Sequence, residues 1–286
     1  MEYGIFDYTT HYTMQPAELG VAAEERGFDH LFAPEHSHIP ISRKSPWPGG
    51  DNMPAHYWSM MDPFVVLGHV AAVTKTLRLG TGISLVIQRD PIQLAKEVAT
   101  LDVLSNGRVM LGIGAGWNRE EMEDHGTDWK TRFKRMRETM EACQSLWTDE
   151  HAEYHGDLIS FDKCLAEPKP VQKPYPPIFL GGEGEKTIER IIRYGDGWMP
   201  LDPGVEHLTP GHMSFEEQVR ELRKRGKDAG KGHIPIHIFM APRKADRLKY
   251  YADLGIDGAL FVMPPTGRDA TLARLDEIAE LRQKVA

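Results

Sequence analysis

The sequence predicts a single (β/α)8 TIM barrel over residues 1–286, an α/β fold with insertions in its mouth loops. Three observations lead there. Strand-like and helix-like segments alternate along the whole chain, roughly eight of each. Gly27-Phe28-Asp29, Gly195-Asp196-Gly197 and Gly255-Ile256-Asp257 recur where a helix should turn into a strand, and glycine there supplies a left-handed helix cap. With 286 residues, 41% of them hydrophobic and 27% charged, the chain has the length and apolar mass for one large core.

Each element has a local reason. The apolar run 3–8 is the first strand. A helix over 16–26 opens on Pro16 and stops at Gly27. A strand over 28–33, a helix over 62–73 and a strand over 77–86 follow. Asp90 can cap the next helix, Pro91 sits at its first position, and Leu94, Val98 and Leu101 share one face. Asn106-Gly107 ends it, and 109–113 resumes as a strand. Phe133, Met136, Met140, Cys143 and Trp147 mark a longer amphipathic helix. Strand 177–180, helix 185–194 and strand 197–199 come next. Ser214 with Glu217 forms a capping box for a helix through Phe215, Val219 and Leu222. The seventh strand spans 234–240, with a helix near Leu248. The eighth spans 258–263, before a last helix through Leu272, Leu275, Ile278 and Leu281.

Segments 34–61, 151–176 and 200–213 are too long for plain connections. The first and third follow strands and so belong at the C-terminal mouth, where barrel enzymes build their sites. The second is rich in proline, with a hairpin expected through Tyr154 and Phe161.

The formal charge of −8 argues against nucleic acid and anionic membranes as partners. The start has no basic, apolar leader, and no run reaches spanning length, so no membrane association is expected. Cys143 and Cys164 make no ligand or disulfide pattern, and a reduced, cytoplasmic protein is the simple reading.

The candidate chemistry lies at the strand ends. The second strand runs into Glu35-His36-Ser37-His38, a carboxylate and two imidazoles suited to acid–base work. The His36-x-His38 spacing also suits a metal-dependent hydrolase. No histidine stands at the ends of the fifth and sixth strands and His207 lies far out in a loop, so no metal is expected. In Leu79-Gly80-Thr81-Gly82-Ile83 the glycines mark either a ligand's close approach or a bend of the barrel. Gly112-Ile113-Gly114-Ala115-Gly116-Trp117 offers bare backbone to a planar ring, with Trp117 either a pocket wall or core. Gly181-Gly182-Glu183-Gly184 before a helix is either an anion site or a plain turn, and Glu183 and Glu185 oppose the anion reading.

Several segments in order resemble the luciferase-like monooxygenase superfamily: 77–83, Arg89-Asp90-Pro91, 95–102, Ser105-Asn106-Gly107-Arg108, 112–117, 176–182 and Asp196-Gly197-Trp198. The branch they look most like depends on the deazaflavin coenzyme F-420. The resemblance implies Glu35 and His36 beside the ring and a non-prolyl cis peptide at Gly82-Ile83 backing it. It further implies cofactor contacts at Ala115, Gly116 and Trp117, and at Gly181, Gly182 and Glu183. His36 is the expected catalytic group, with Glu35 orienting it or touching the ring; His11 and His38 are weaker candidates. Sugar-phosphate dehydrogenases of the superfamily carry a catalytic glutamate where this chain has Trp117, which points to a more apolar, small-molecule substrate. An FMN-dependent monooxygenase and a non-catalytic cofactor-binding barrel are the alternatives, and relatives suggest a homodimer.

Overall fold

The computed structural model describes residues 1–202, 204 and 213–285. Elements follow in chain order: β1 (Glu2–Phe6), α1 (Pro16–Glu25), β2 (His30–Ala33), α2 (His56–Ser59), α3 (Pro63–Ala71), β3 (Arg78–Thr81), α4 (Pro91–Ser105), β4 (Val109–Ile113), α5 (Arg119–Asp124) and α6 (Arg132–Thr148). The second half adds β5 (Ala152–His155), β6 (Ser160–Cys164), β7 (Ile178–Gly181), α7 (Glu185–Tyr194), β8 (Gly197–Met199), α8 (Phe215–Asp228), β9 (His237–Ile238), α9 (Ala245–Asp253), β10 (Gly258–Val262) and α10 (Arg268–Val285). Eight parallel strands run in the order β8-β7-β4-β3-β2-β1-β10-β9. Parallel bridges from Trp198 to Ile236 and from Leu201 to Phe239 join the two ends, and the sheet closes as a (β/α)8 barrel. Among the described residues no helix is long and apolar enough to cross a membrane.

The helix boundaries follow the capping chemistry. Asp62 accepts from the backbone N–H of Phe64 and Val65, and Asp90 from those of Ile92 and Gln93, each just before a proline at the first helical position. Asn106 closes α4 in the left-handed conformation, and the Ser214–Glu217 capping box opens α8. The hairpin through Tyr154 and Phe161 is β5 paired antiparallel with β6.

Four expectations need correction. The first strand ends at Phe6, two residues early. The third strand, expected over 77–86, ends at Thr81; the chain then bulges and enters a 3-10 turn at Val86–Gln88. The seventh, expected over 234–240, is regular only at His237–Ile238, with single bridges at Ile236 and Phe239. Gly195 is not a left-handed cap: its φ is −105°, whereas Gly27 and Gly255 have φ of 73° and 67°. Gly195 serves space instead, since a Cβ there would strike Leu180 and lie 3.1 Å from the Ile191 Cα. Most of segment 200–213, with His207, lies outside the described residues.

The barrel lumen is a second apolar cluster of Phe6, Tyr8, Phe32, Met110, Phe179, Met199 and Leu260, distinct from the strand–helix core. Glycines face these bulky groups: a Cβ on Gly80 would enter the Phe32 ring, and one on Gly197 the Phe179 ring. Large and small residues on neighbouring strands thus interlock to fill the lumen. Gly80, read as either a ligand approach or a bend, is a packing glycine.

Candidate functional site

A cavity of about 840 Å³ opens at the C-terminal ends of the strands. Its floor is the bulge after β3. Gly82-Ile83 is a cis peptide, Gly82 N–H donates to the Ala33 carbonyl, and Ser84 N–H donates to the Gly112 carbonyl. Ile83 then lies across β4 and β7. A Cβ on Gly114 would collide with the Ile83 side chain, and one on Gly181 would touch it at 3.4 Å. The result is a wall of backbone and one aliphatic side chain, flat enough for a planar ring.

Glu35 holds that bulge in place. It is buried and accepts from Ser84 Oγ and Leu85 N–H, both at 2.7 Å, and from Arg89 Nε at 2.7 Å. Arg89 is itself paired with Asp62 and Glu97. Burial works against the Arg89 cation, but Glu35 and Asp62 together raise its pKa above the usual guanidinium value. The Glu35 carboxylate thus bonds the bulge and Arg89, and the carboxylate bonded to the His36 ring is a different one.

That carboxylate is Glu121. This carboxylate on α5 is fully buried and accepts from His36 Nδ1 at 2.6 Å and from Ser37 N–H at 2.9 Å. The other imidazole nitrogen, Nε2, accepts from Trp117 Nε1 at 3.2 Å. An indole N–H only donates, so Nε2 carries no proton and the Nδ1 proton points at Glu121. The His36 side chain is 7% exposed and packs against Trp117 and Tyr57, two rings that line the cavity, at centroid distances of 5.6 and 5.8 Å. No pattern in Arg119-Glu120-Glu121-Met122 announces a buried acid, because the short helix α5 is set down by its Asn118 cap and by the loop it covers.

Gly82, Ile83, Ala115, Gly116, Trp117, Gly181, Gly182 and Glu183 all line the cavity. His38 does not: it is partly exposed and pairs with Asp124 at 3.0 Å. His11 is exposed and packs edge-on against Tyr12. Sequence reasoning missed Tyr8, Trp47, Tyr57 and Phe239, which also line the cavity, with Tyr57 packed against both Tyr8 and Trp47. The Tyr8 and Tyr57 hydroxyls are 3.3 Å apart, and burial followed by the neighbouring phenol raises the Tyr8 pKa far above its usual value. The β7–α7 end is polar. Thr187 and Arg190 reach the cavity from α7, with the Arg190 guanidinium 3.8 Å over the Phe133 ring. Glu185 turns away to Arg225. These positions carried no signal in sequence, since each depends on which face of its element meets the mouth.

A closed barrel with a bulged third strand and a cavity at its C-terminal mouth is the frame on which barrel enzymes build their sites. The luciferase-like monooxygenase family model matches residues 1–283, and the chain belongs to that family. It is 38% identical over 284 residues to the uncharacterised protein Rv0953c of Mycobacterium tuberculosis strain H37Rv, covering 98% of each chain. It is 29% identical to the FMNH(2)-dependent dimethylsulfone monooxygenase of Pseudomonas putida over 162 residues, 54% of this chain and 42% of that one. The structure of an F420-dependent secondary alcohol dehydrogenase in complex with an F420-acetone adduct superposes with a TM-score of 0.74 at 17% identity, covering 100% of this chain and 99% of that one.

Proposed function

We propose that this chain is a cytoplasmic oxidoreductase that holds the deazaflavin coenzyme F-420 in the mouth cavity and acts on a small, fairly apolar organic substrate. The observation that carries the reading is the cavity wall of cis-bonded Ile83 with Gly114, Ala115 and Gly116, where the missing side chain of Gly114 leaves room for Ile83 to lie against β4. When bound there, the deazaflavin supplies or accepts a hydride. Gly181, Gly182, Thr187 and Arg190 suit its polar tail, because one cation and a helix start face that end. The rings of Tyr8, Trp47, Tyr57 and Phe239 exclude water and leave an apolar substrate space.

Hydride exchange at a carbinol or carbonyl carbon needs a proton partner on the oxygen. His36 provides one. Glu121 fixes its tautomer with a bare Nε2, and displacement of the Trp117 indole exposes that nitrogen to the cavity. Glu35 acts at one remove, as the positioning residue of the bulge. The full-length superposition on an F420-dependent alcohol dehydrogenase supports this choice of cofactor. The partial match to an FMNH(2)-dependent oxygenase favours the alternative, an FMN-dependent monooxygenase at the same site. A homodimer is the proposed active form, and light scattering measures it.

Anaerobic assays with deazaflavin and a panel of small ketones and secondary alcohols test the reading. The expected result is a change in the deazaflavin's absorbance that needs the protein and no oxygen. Turnover only with reduced FMN and oxygen establishes the alternative, and tight binding without turnover establishes a non-catalytic barrel. His36→Ala is expected to keep cofactor affinity but to lower kcat by about 100-fold or more. Unchanged turnover removes His36 from the mechanism.

A further inference from the structure

The lumen is apolar from the mouth downward until its lowest layer. There Glu2 on β1, His30 on β2 and His237 on β9 point inward from the strand starts, on the faces that carry Phe6, Phe32 and Phe239 further up. Glu2 Oε2 lies 2.8 Å from His30 Nε2 and 3.6 Å from His237 Nε2. One ligand atom from each residue falls within 4.8 Å of the other two. Both imidazoles are buried, at 0% and 2% exposure, while Glu2 is half-exposed at 43%.

Two further observations show that this layer is built. Backbone space is cleared for the His237 ring, since a Cβ on Gly258 would lie 3.0 Å from it, while one on Gly4 would strike Leu260 and lie 2.9 Å from the His30 Cβ. The hydrogen bonding is also left incomplete, because Nδ1 of His30 and Nδ1 of His237 are buried without a partner among the described residues. Two buried imidazoles are costly where phenylalanine or leucine fills the layers above, and it is their Nε2 atoms, on the other side of each ring from Nδ1, that face the Glu2 carboxylate. The layer opens on a separate cavity of about 530 Å³ at the N-terminal pole, lined by Glu2, Arg78, His237 and Asp257. That cavity gives an entry path and room for water.

We propose that Glu2, His30 and His237 form a divalent transition-metal site of the zinc class at the barrel's N-terminal pole. Two neutral imidazoles and one carboxylate are the donors such ions prefer, and three protein ligands leave a fourth position for water from the cavity. Arg78 on the rim opposes a cation and Asp257 on the same rim offsets it. The expectation of no metal rested on the mouth residues; this cluster lies at the other pole. The role is structural. The ion ties β1 and β2 to β9, a strand of only two residues, and so pins the barrel where its own ladder is weakest.

The test uses tag-free protein stripped by chelator and titrated with Zn2+ alone. One equivalent is expected to bind with a Kd below about 10 μM and to raise the thermal midpoint by about 3 °C or more. His237→Gln is expected to lose that equivalent, and Glu2→Gln to weaken it at least about tenfold. Deazaflavin or FMN binding at the mouth stays unchanged in both, which separates failure of this site from failure of the proposed function. Glu2 is half-exposed at a strand start, so Glu2→Gln carries the test if His237→Gln does not fold. No binding, or binding unaltered by either substitution, overturns the proposal and assigns any bound zinc to surface histidines.

Discussion

Three buried acids near the mouth do different work. Glu35 anchors the bulge after β3, Glu121 fixes the His36 tautomer, and Asp7 is buried against Thr9 Oγ1 at 2.7 Å. Glu121→Gln keeps a hydrogen bond to Nδ1 but loses the charge opposite it. The expected result is a fall in kcat of about 10–100-fold with KM and cofactor affinity nearly unchanged. Equal losses in KM and kcat would mean that Glu121 merely holds the loop. Burial pushes Asp7 up to about 6, against a smaller opposing effect of the Thr9 hydrogen bond. The folded state therefore holds this proton more tightly than the unfolded one. Its stabilising share is full below the ordinary carboxylate range and is lost as the pH rises through about 6. Asp7→Asn is expected to gain about 1–3 kcal/mol at pH 7.5 and little at pH 4, read by denaturant unfolding at both. No gain at pH 7.5 would contradict this. His36 and Glu35 are visible in sequence as a charged cluster at a strand end. Glu121 is not, because its partner is 85 residues away and burial, not pattern, gives it meaning.

At the scale of elements, legibility follows how local the cause is. Helix ends set by a side chain two or three residues away, as at Asp90 and Ser214, or by a left-handed residue, as at Asn106, were readable. The end of β3 was not, since the chain leaves the sheet at Gly82 and is held by hydrogen bonds that Ser84 Oγ and Leu85 N–H donate to Glu35 on the preceding mouth loop. Nor was the shortness of β9, which depends on how β8 and β10 meet it. The cap of α4 offers a clean check. Asp90 bonds only its own helix start, so Asp90→Ala is expected to cost about 1 kcal/mol of stability and to leave activity intact. A loss of activity without a loss of stability would mean that Asp90 acts on the nearby bulge instead.

The whole molecule is a barrel filled by interlocking large and small side chains, with a polar cluster at each end of its lumen among the described residues. The fold class followed from alternation and composition, whereas the lumen's use of glycine did not, because a glycine in a strand looks the same beside a ring or a ligand. Gly112 decides between these locally: a Cβ there would run into the Thr81 carbonyl, and backbone does not yield. Gly112→Ala is expected to destabilise the fold by about 1–3 kcal/mol or more, and a variant of unchanged midpoint would contradict the packing described. The mouth pole carries the central claim. Its most direct test is a fluorescence titration of the purified protein with F-420 and, separately, with FMN. One F-420 is expected to bind per chain, with FMN at least about tenfold weaker. Tight FMN binding with no detectable F-420 binding would contradict that claim.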